Sequence, residues 1–266
     1  MTNRKDWAVS QSCSPEIFAG KGLEELAAHD IHYMELTSGM RKGYEDVDFL
    51  RRSAEYCRQA KDAGVTIRSI HLPFAPFSAL DPACRDAALR EECIRQQTEL
   101  MAAAADGGIG IAVIHPSGEP YQEEERAERI AIAIDGIGRL TENAEKYGMR
   151  LALENLPRTC LCRTHDEMEQ FLRAIPKLNV CYDTNHCLLE SNVDYLRAVG
   201  SRVIALHISD YDFVDERHWY PGVGKNPWDE ILSALEAVDY NGTFNYEIRG
   251  VHPQKTAENY RWLMNR

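Results

Sequence analysis

Seven short apolar runs in this chain each end on an ionisable residue: Glu35 follows Tyr-Met, His71 follows Arg-Ser-Ile, His115 follows Ala-Val-Ile, Glu154 follows Leu-Ala-Leu, Asp183 follows Val-Cys-Tyr, His207 follows Ile-Ala-Leu and Glu247 follows Phe-Asn-Tyr. If those runs are strands of one parallel barrel, their C-terminal ends form the floor of a single site. Four carboxylates gathered there would repel one another strongly unless protons or a cation intervened. A divalent metal is the economical remedy. Glu154, Asp183, His207 and Glu247 come from four successive runs and supply three carboxylates and one imidazole. Such a set suits Mn²⁺, Mg²⁺ or Co²⁺ at least as well as Zn²⁺, whose structural sites favour thiolates and more imidazoles. Any one of these acids alone could equally cap a helix or pair with an arginine. Their regular recurrence favours a shared site.

The elements that must position them read as strands alternating with longer helical patterns, with no Pro/Ser/Gly linker between. The predicted strands are Ala8 to Ser12, His32 to Leu36, Thr66 to His71, Ala112 to His115, Arg150 to Glu154, Asn179 to Asp183, Val203 to His207 and Thr243 to Glu247. Asp81-Pro82 and Asn226-Pro227 read as helix openings, and Gly148 as a helix end. Before that glycine, Ile130, Ile134, Ile137, Leu140 and Ala144 make the stripe a helix needs to cover a sheet. Eight strand-helix units in 266 residues average about 33 residues each, the size of a right-handed βαβ step. The expected fold is α/β, a (β/α)₈ TIM barrel with eight parallel strands and outer helices, as one domain over residues 1–266. An open doubly wound sheet is the competing arrangement, but it usually has fewer strands and a single ligand crevice.

Composition limits the partners. With 44% hydrophobic and 27% charged residues, the chain has the make-up of a folded globular protein. Its net charge of −12, with no basic stretch, argues against nucleic acid and for a small substrate. The longest weakly polar stretch, Met101 to Ile114, falls short of the roughly 20 residues that span a bilayer. No signal-peptide pattern follows the charged start, so the cytoplasm is the expected compartment and the eight cysteines are expected as thiols. A homo-oligomer is compatible with all of this.

The chain resembles the xylose isomerase-like TIM barrels, which include sugar phosphate isomerases and epimerases, ketose 3-epimerases, inosose dehydratases and type IV apurinic endonucleases. The segments that carry the resemblance are His71-Leu-Pro-Phe, Val113-Ile-His-Pro-Ser, Leu153-Glu-Asn-Leu-Pro, Tyr182-Asp-Thr-Asn-His186, Leu206-His-Ile-Ser-Asp210, Asp215 to Gly224 and Tyr246-Glu-Ile. Their order and spacing are more telling than any one of them. The resemblance implies that Glu154, Asp183, His207 and Glu247 hold one divalent ion, that Glu154 and Glu247 are also the acid/base pair, and that His186 touches substrate. It implies proton abstraction beside a carbonyl of a carbohydrate, through an enediolate, with isomerisation, epimerisation or loss of water as outcomes.

In the endonuclease branch, histidines corresponding to His71, His115, His186 and His218 hold zinc, with a carboxylate at Glu216. A zinc phosphodiesterase is therefore the rival reading, with Glu216 and His218 as further metal ligands, and the acidic balance weighs against it. In the sugar reading His71, His115, His186, Arg217, His218 and Trp219 are the candidate substrate contacts, although a buried structural histidine or a surface-paired arginine is the ordinary alternative. The ketose 3-epimerases carry a second glutamate and an arginine where this chain has Cys160 and His218, which casts doubt on a free ketohexose. Pro221-Gly-Val-Gly-Lys225 could cradle a phosphate, though such turns more often only lead into a helix. Cys160 and Cys162 read as ordinary loop thiols ahead of a zinc or redox pair. Arg249 is a further candidate for a substrate anion.

Overall fold

The computed structural model describes residues 3–37 and 52–266. Its eight strands are β1 Ala8–Cys13, β2 Tyr33–Thr37, β3 Thr66–His71, β4 Ile111–Ile114, β5 Arg150–Glu154, β6 Asn179–Asp183, β7 Val203–His207 and β8 Thr243–Tyr246. All pair in parallel in the order β7-β6-β5-β4-β3-β2-β1-β8. The ring closes through one parallel bridge between Ile208 and Tyr246, where the Ile208 amide donates to the Asn245 carbonyl at 2.8 Å and the Glu247 amide to the Ile208 carbonyl at 3.1 Å. The expected TIM barrel is the fold. His115 and Glu247 stand one residue beyond their strands, where a side chain leaves the ladder and enters the loops.

Around the barrel lie α1 Gly22–Ala28, α2 Ser53–Asp62, α3 Ala87–Asp106, α4 Arg126–Lys146, α5 His165–Ala174, α6 Asn192–Val199, α7 Trp228–Ala237 and α8 Pro253–Met264. The predicted stripe of α4 faces the strands: Ile130, Ile137, Leu140 and Ala144 are buried and Ile134 partly so. Gly148, at φ +71°, ends that helix and lets the Met149 amide reach back to the Ala144 carbonyl at 2.9 Å. Among the described residues no helix is long and apolar enough to cross a membrane.

Two predicted caps are different features. Asp86, not Asp81, caps α3, accepting from the amides of Ala88 and Leu89. Asp81 instead accepts from the Ala83 and Gly118 amides and the Tyr121 hydroxyl, joining the loops after β3 and β4. Asn226 caps nothing. Its side-chain amide donates to the carbonyls of Thr184 and Ser209, tying the loops after β6 and β7 together.

Inside the barrel, alternation along each strand splits the lining into two halves. Ile111, Val113, Ala152, Cys181 and Ala205 form a small apolar cluster apart from the main core. Opposite them Ser10, Ser12, Glu35 and Asn245 are buried and joined: the Ser10 hydroxyl donates to Asn245, Asn245 to Ser12, and Ser12 to Glu35 at 2.8, 2.8 and 3.2 Å. Two register shifts then set the upper layer, since a bulge re-aims the side chains beyond it. One, between Met34 and Glu35, sets Glu35 opposite Ser69; the other, between Val180 and Cys181, sets Asp183 opposite His207.

Candidate active site and metal centre

At the C-terminal ends of the strands a cavity of about 600 Å³ opens between the loops. Glu154, at the end of β5, sits beneath it and is 1% exposed. One of its oxygens takes His71 Nε2 at 3.1 Å and lies 3.3 Å from His115 Nε2; the other takes His207 Nδ1 at 3.0 Å. Burial alone would raise the Glu154 carboxyl, but His207, His115 and His71 together hold it well below the usual range. His207 in turn lies 3.8 Å from Asp183 Oδ2 and 3.5 Å from Glu247 Oε2 through the same Nδ1. Ligand-capable atoms of Glu154, Asp183, His207 and Glu247 all fall within 4.8 Å of one another.

These four residues fit a divalent cation. Asp183 is fully buried, and while its Oδ1 accepts from the Asn185 amide at 2.5 Å, its Oδ2 has no hydrogen-bond partner. An orphaned carboxylate oxygen in a dry site is costly. Burial, then Glu247 and Glu154, push the Asp183 carboxyl well above its ordinary value, the direction expected of a carboxylate that lacks a positive partner. Burial opposes a charge on His207, yet Cys181, Glu247, Glu154 and Glu35 around it hold its pKa well above the ordinary value. A bound ion would supply the positive charge that this cluster of acids calls for.

The remaining predicted residues divide. His71, His115, His186 and His218 line the cavity with Glu154, Glu216 and Glu247. His71 is oriented through Nδ1 to the Leu72 carbonyl at 2.8 Å, and His186 through Nδ1 to the Asn155 carbonyl at 2.8 Å. His218 adopts φ +51°, a region few non-glycine residues enter, though histidine does so more readily than most, and its Nδ1 donates to the Glu247 carbonyl at 3.1 Å. Its Nε2 faces Glu216 at 3.5 Å, and His186, Glu216 and His218 form a second group able to hold a metal. Arg217 and Trp219 are not among the residues lining the cavity: Arg217 pairs with Asp212 at 2.7 Å, with its guanidinium 6.0 Å from the Trp219 ring centre.

Several lining residues carried no signal in the strand ends. Phe74 stacks on His115 at 4.3 Å, and with Phe77, Leu156 and Val251 it gives the cavity an apolar side. The aromatic of His71-Leu-Pro-Phe was the one available hint. Arg158 and Glu119 also line the cavity, and nothing in their spacing sets them apart from other loop charges.

The glycine turn at Pro221 to Lys225 is already filled. The amides of Gly222 and Gly224 donate to Asp210 Oδ2 at 2.8 and 3.0 Å, that of Asn226 to Oδ1 at 3.0 Å, and the Trp228 indole to Oδ2 at 3.0 Å. The chain's own carboxylate occupies the nest offered to a phosphate. Cys160 and Cys162 are buried free thiols raised by burial.

The sequence profile of the xylose isomerase-like TIM barrel family matches residues 23–266. The chain belongs to that family. It is 25% identical to D-psicose 3-epimerase of Enterocloster bolteae over 232 residues, 84% of this chain and 74% of that protein. It is 30% identical to inosose isomerase of Bacillus velezensis over 131 residues, about half of either chain at 45% and 47%. A solved D-psicose 3-epimerase, crystallised in the presence of D-fructose, superposes with a TM-score of 0.74 at 19% identity over 96% of each chain, a likeness of fold.

Proposed function

We propose that this member of the xylose isomerase-like barrels is a metal-dependent isomerase or epimerase of a small sugar or polyol-derived ketone. One observation carries the reading: the donor atoms of Glu154, Asp183, His207 and Glu247 converge beneath the cavity with an unsatisfied Asp183 oxygen among them. Relatives named for action on psicose and inosose support it. When bound, a divalent ion supplies Lewis acidity to the substrate's carbonyl and hydroxyl oxygens.

The chain's own residues then divide the work. Glu247 is the less encumbered carboxylate, with its histidine neighbours at 3.5 and 3.8 Å, against three imidazoles at 3.0 to 3.3 Å around Glu154. It is the better placed to remove a proton beside the carbonyl. Glu154, relaying a proton from the His71 side, returns one on the other face of the substrate, to the same carbon in an epimerisation or to the adjacent carbon in an isomerisation. His186, whose Nδ1–H is given to the Asn155 carbonyl, offers Nε2 as an acceptor for a substrate hydroxyl, His218 lines the cavity beside it, and Phe74, Phe77 and Leu156 exclude water from the reacting carbon.

Metal-replete protein incubated in D₂O with ketoses and inososes tests this directly. Deuterium incorporated at carbon supports the reading; none with any of them overturns it. Loss of water accompanying exchange would mark a dehydratase on the same residues. A second reading, a zinc phosphodiesterase, is favoured by the additional His186, Glu216 and His218 group and by the placement of His71 and His115 on Glu154. It expects several zinc ions per chain and nicking of abasic duplex DNA. Glu119 and Glu216 in the cavity lining, with Asp215 beside them, share the single guanidinium of Arg158, and the negative charge left over would repel a phosphate backbone.

A further inference from the structure

Of the three candidate cation groups among the described residues, His71, Glu154 and His207 share members with Glu154, Asp183, His207 and Glu247, while His186, Glu216 and His218 stand apart, and the two that share no residue differ in what else touches them. Around Glu154, Asp183, His207 and Glu247 the three carboxylates meet imidazoles only, His71 and His115 on Glu154 and His218 beside Glu247 as well as the shared His207, and none of the three has an arginine or lysine partner among the described residues. Glu216, the lone carboxylate of the other group, is already engaged. Its Oε1 accepts from Arg158 Nη1, while its Oε2 faces His218 Nε2 at 3.5 Å and His186 Nε2 at 3.9 Å. The same guanidinium donates to both oxygens of Glu119 at 3.1 and 2.6 Å and to Asp215 at 3.1 Å. Arg158 reaches these acids from the loop after β5 with its backbone at φ +52°, a strained conformation for a side chain of this size.

We propose that Arg158 is a built-in counter-ion that keeps the His186, Glu216 and His218 group from taking a second metal and leaves its two imidazoles to the substrate. The inference rests on the single-metal reading above. An arginine cannot be deprotonated in this setting, so the positive charge on Glu216 is permanent. An ion entering between Glu216 and the histidines would meet that charge across one carboxylate, a few ångströms away. Charges so close change an ion's affinity about 100-fold or more even at the moderate effective dielectric of a cavity wall. Without the guanidinium, Glu119, Asp215 and Glu216 would face one another beside two imidazoles, and that arrangement recruits a cation.

Ion counting on the whole chain tests this without turnover. Protein stripped by chelator is equilibrated with Co²⁺, the bound metal is counted by plasma mass spectrometry, and its environment is followed by d–d absorption. Wild type should hold one ion, and Arg158→Gln two, the second bound about 100-fold more tightly than in wild type. Arg158→Lys keeps the charge and should stay at one. Should Arg158→Gln fold poorly because three acids are left opposed, Arg158→Gln combined with Asp215→Asn relieves one charge and should still hold two. A wild type holding two ions, or both glutamine variants holding one, overturns the proposal. One ion in wild type and two in the variant, with no deuterium exchange on any sugar, would sink the isomerase reading and leave the role of Arg158 standing.

Discussion

His207 Nε2 donates to Glu35 Oε1 at 2.9 Å, and that bond turns the other ring nitrogen, Nδ1, toward Glu154, Asp183 and Glu247. Glu35 is itself fixed by the hydroxyls of Ser69 at 2.7 Å and Ser12 at 3.2 Å, so the imidazole inherits its aim from the polar half of the barrel interior. An outer partner that sets tautomer and orientation is a common support for a ligating histidine.

Glu35→Gln should therefore weaken metal binding about 10- to 100-fold while leaving the barrel folded. Isothermal titration with Mn²⁺ reads the affinity, and circular dichroism checks the fold. Unchanged affinity would reduce Glu35 to a packing residue.

Glu247→Gln should lower deuterium exchange about 10²- to 10⁴-fold, the usual worth of a general base. Bound metal must be counted in the same samples, because Glu247 also belongs to the ligand set. A variant with full occupancy and full exchange would exclude it as the base.

Metal should also stabilise the fold. At a free concentration about 100 times its dissociation constant, an ion bound only by the native chain adds about 2.7 kcal/mol, so chelation should lower the thermal midpoint by several degrees. Wild type and Asp183→Asn compared with and without Mn²⁺ test this, the variant being expected to lose the difference.

Asp210→Ala should destabilise the protein by more than about 3 kcal/mol. It strands five buried or half-buried N–H donors, those of Tyr211, Gly222, Gly224, Asn226 and the Trp228 indole, each costing roughly 1–3 kcal/mol. Gly224→Ala should fail similarly, because a Cβ there overlaps the Tyr211 carbonyl and the Asp210 carboxylate. Urea denaturation measures both, and inorganic phosphate should not protect the wild type through this turn.

A pH effect is expected away from the cavity. The Glu190 carboxylate raises the pKa of His165, at the start of α5, above its ordinary 6.5. Folding thus favours the protonated imidazole, and this contribution is complete below pH 6.5 and fades as pH rises through the raised value. Glu190→Gln should lower the urea midpoint relative to wild type at about pH 5.5 and not at about pH 9. The loss should stay under about 1 kcal/mol, since the His165 side chain is 33% exposed.

The strand ends were legible because a parallel barrel turns linear periodicity into a ring, and an ionisable residue closing an apolar run stands out in one dimension. Glu154, Asp183, His207 and Glu247 meet as their positions suggested. Other relationships depend on quantities a one-dimensional pattern does not hold. Glu35 sits beside Ser69 only because of the register shift after Met34. Arg158 meets acids 39 and 57 residues away through loops whose paths follow no period. Arg217 and Trp219 flank His218 in the chain, yet the Asp210 to Trp219 bridge and the Asp212 pair carry them away from the cavity lining.

The β7 to β8 closure has a mechanical corollary. The cylinder is laced there through a single bridge, and His207 and Glu247 stand on its two sides. An ion gripped by both would act as a rivet across the thinnest joint of the wall, tying catalysis to integrity: the protein that loses its ion would also breathe fastest at Ile208 and Glu247, where amide hydrogens would trade with solvent first.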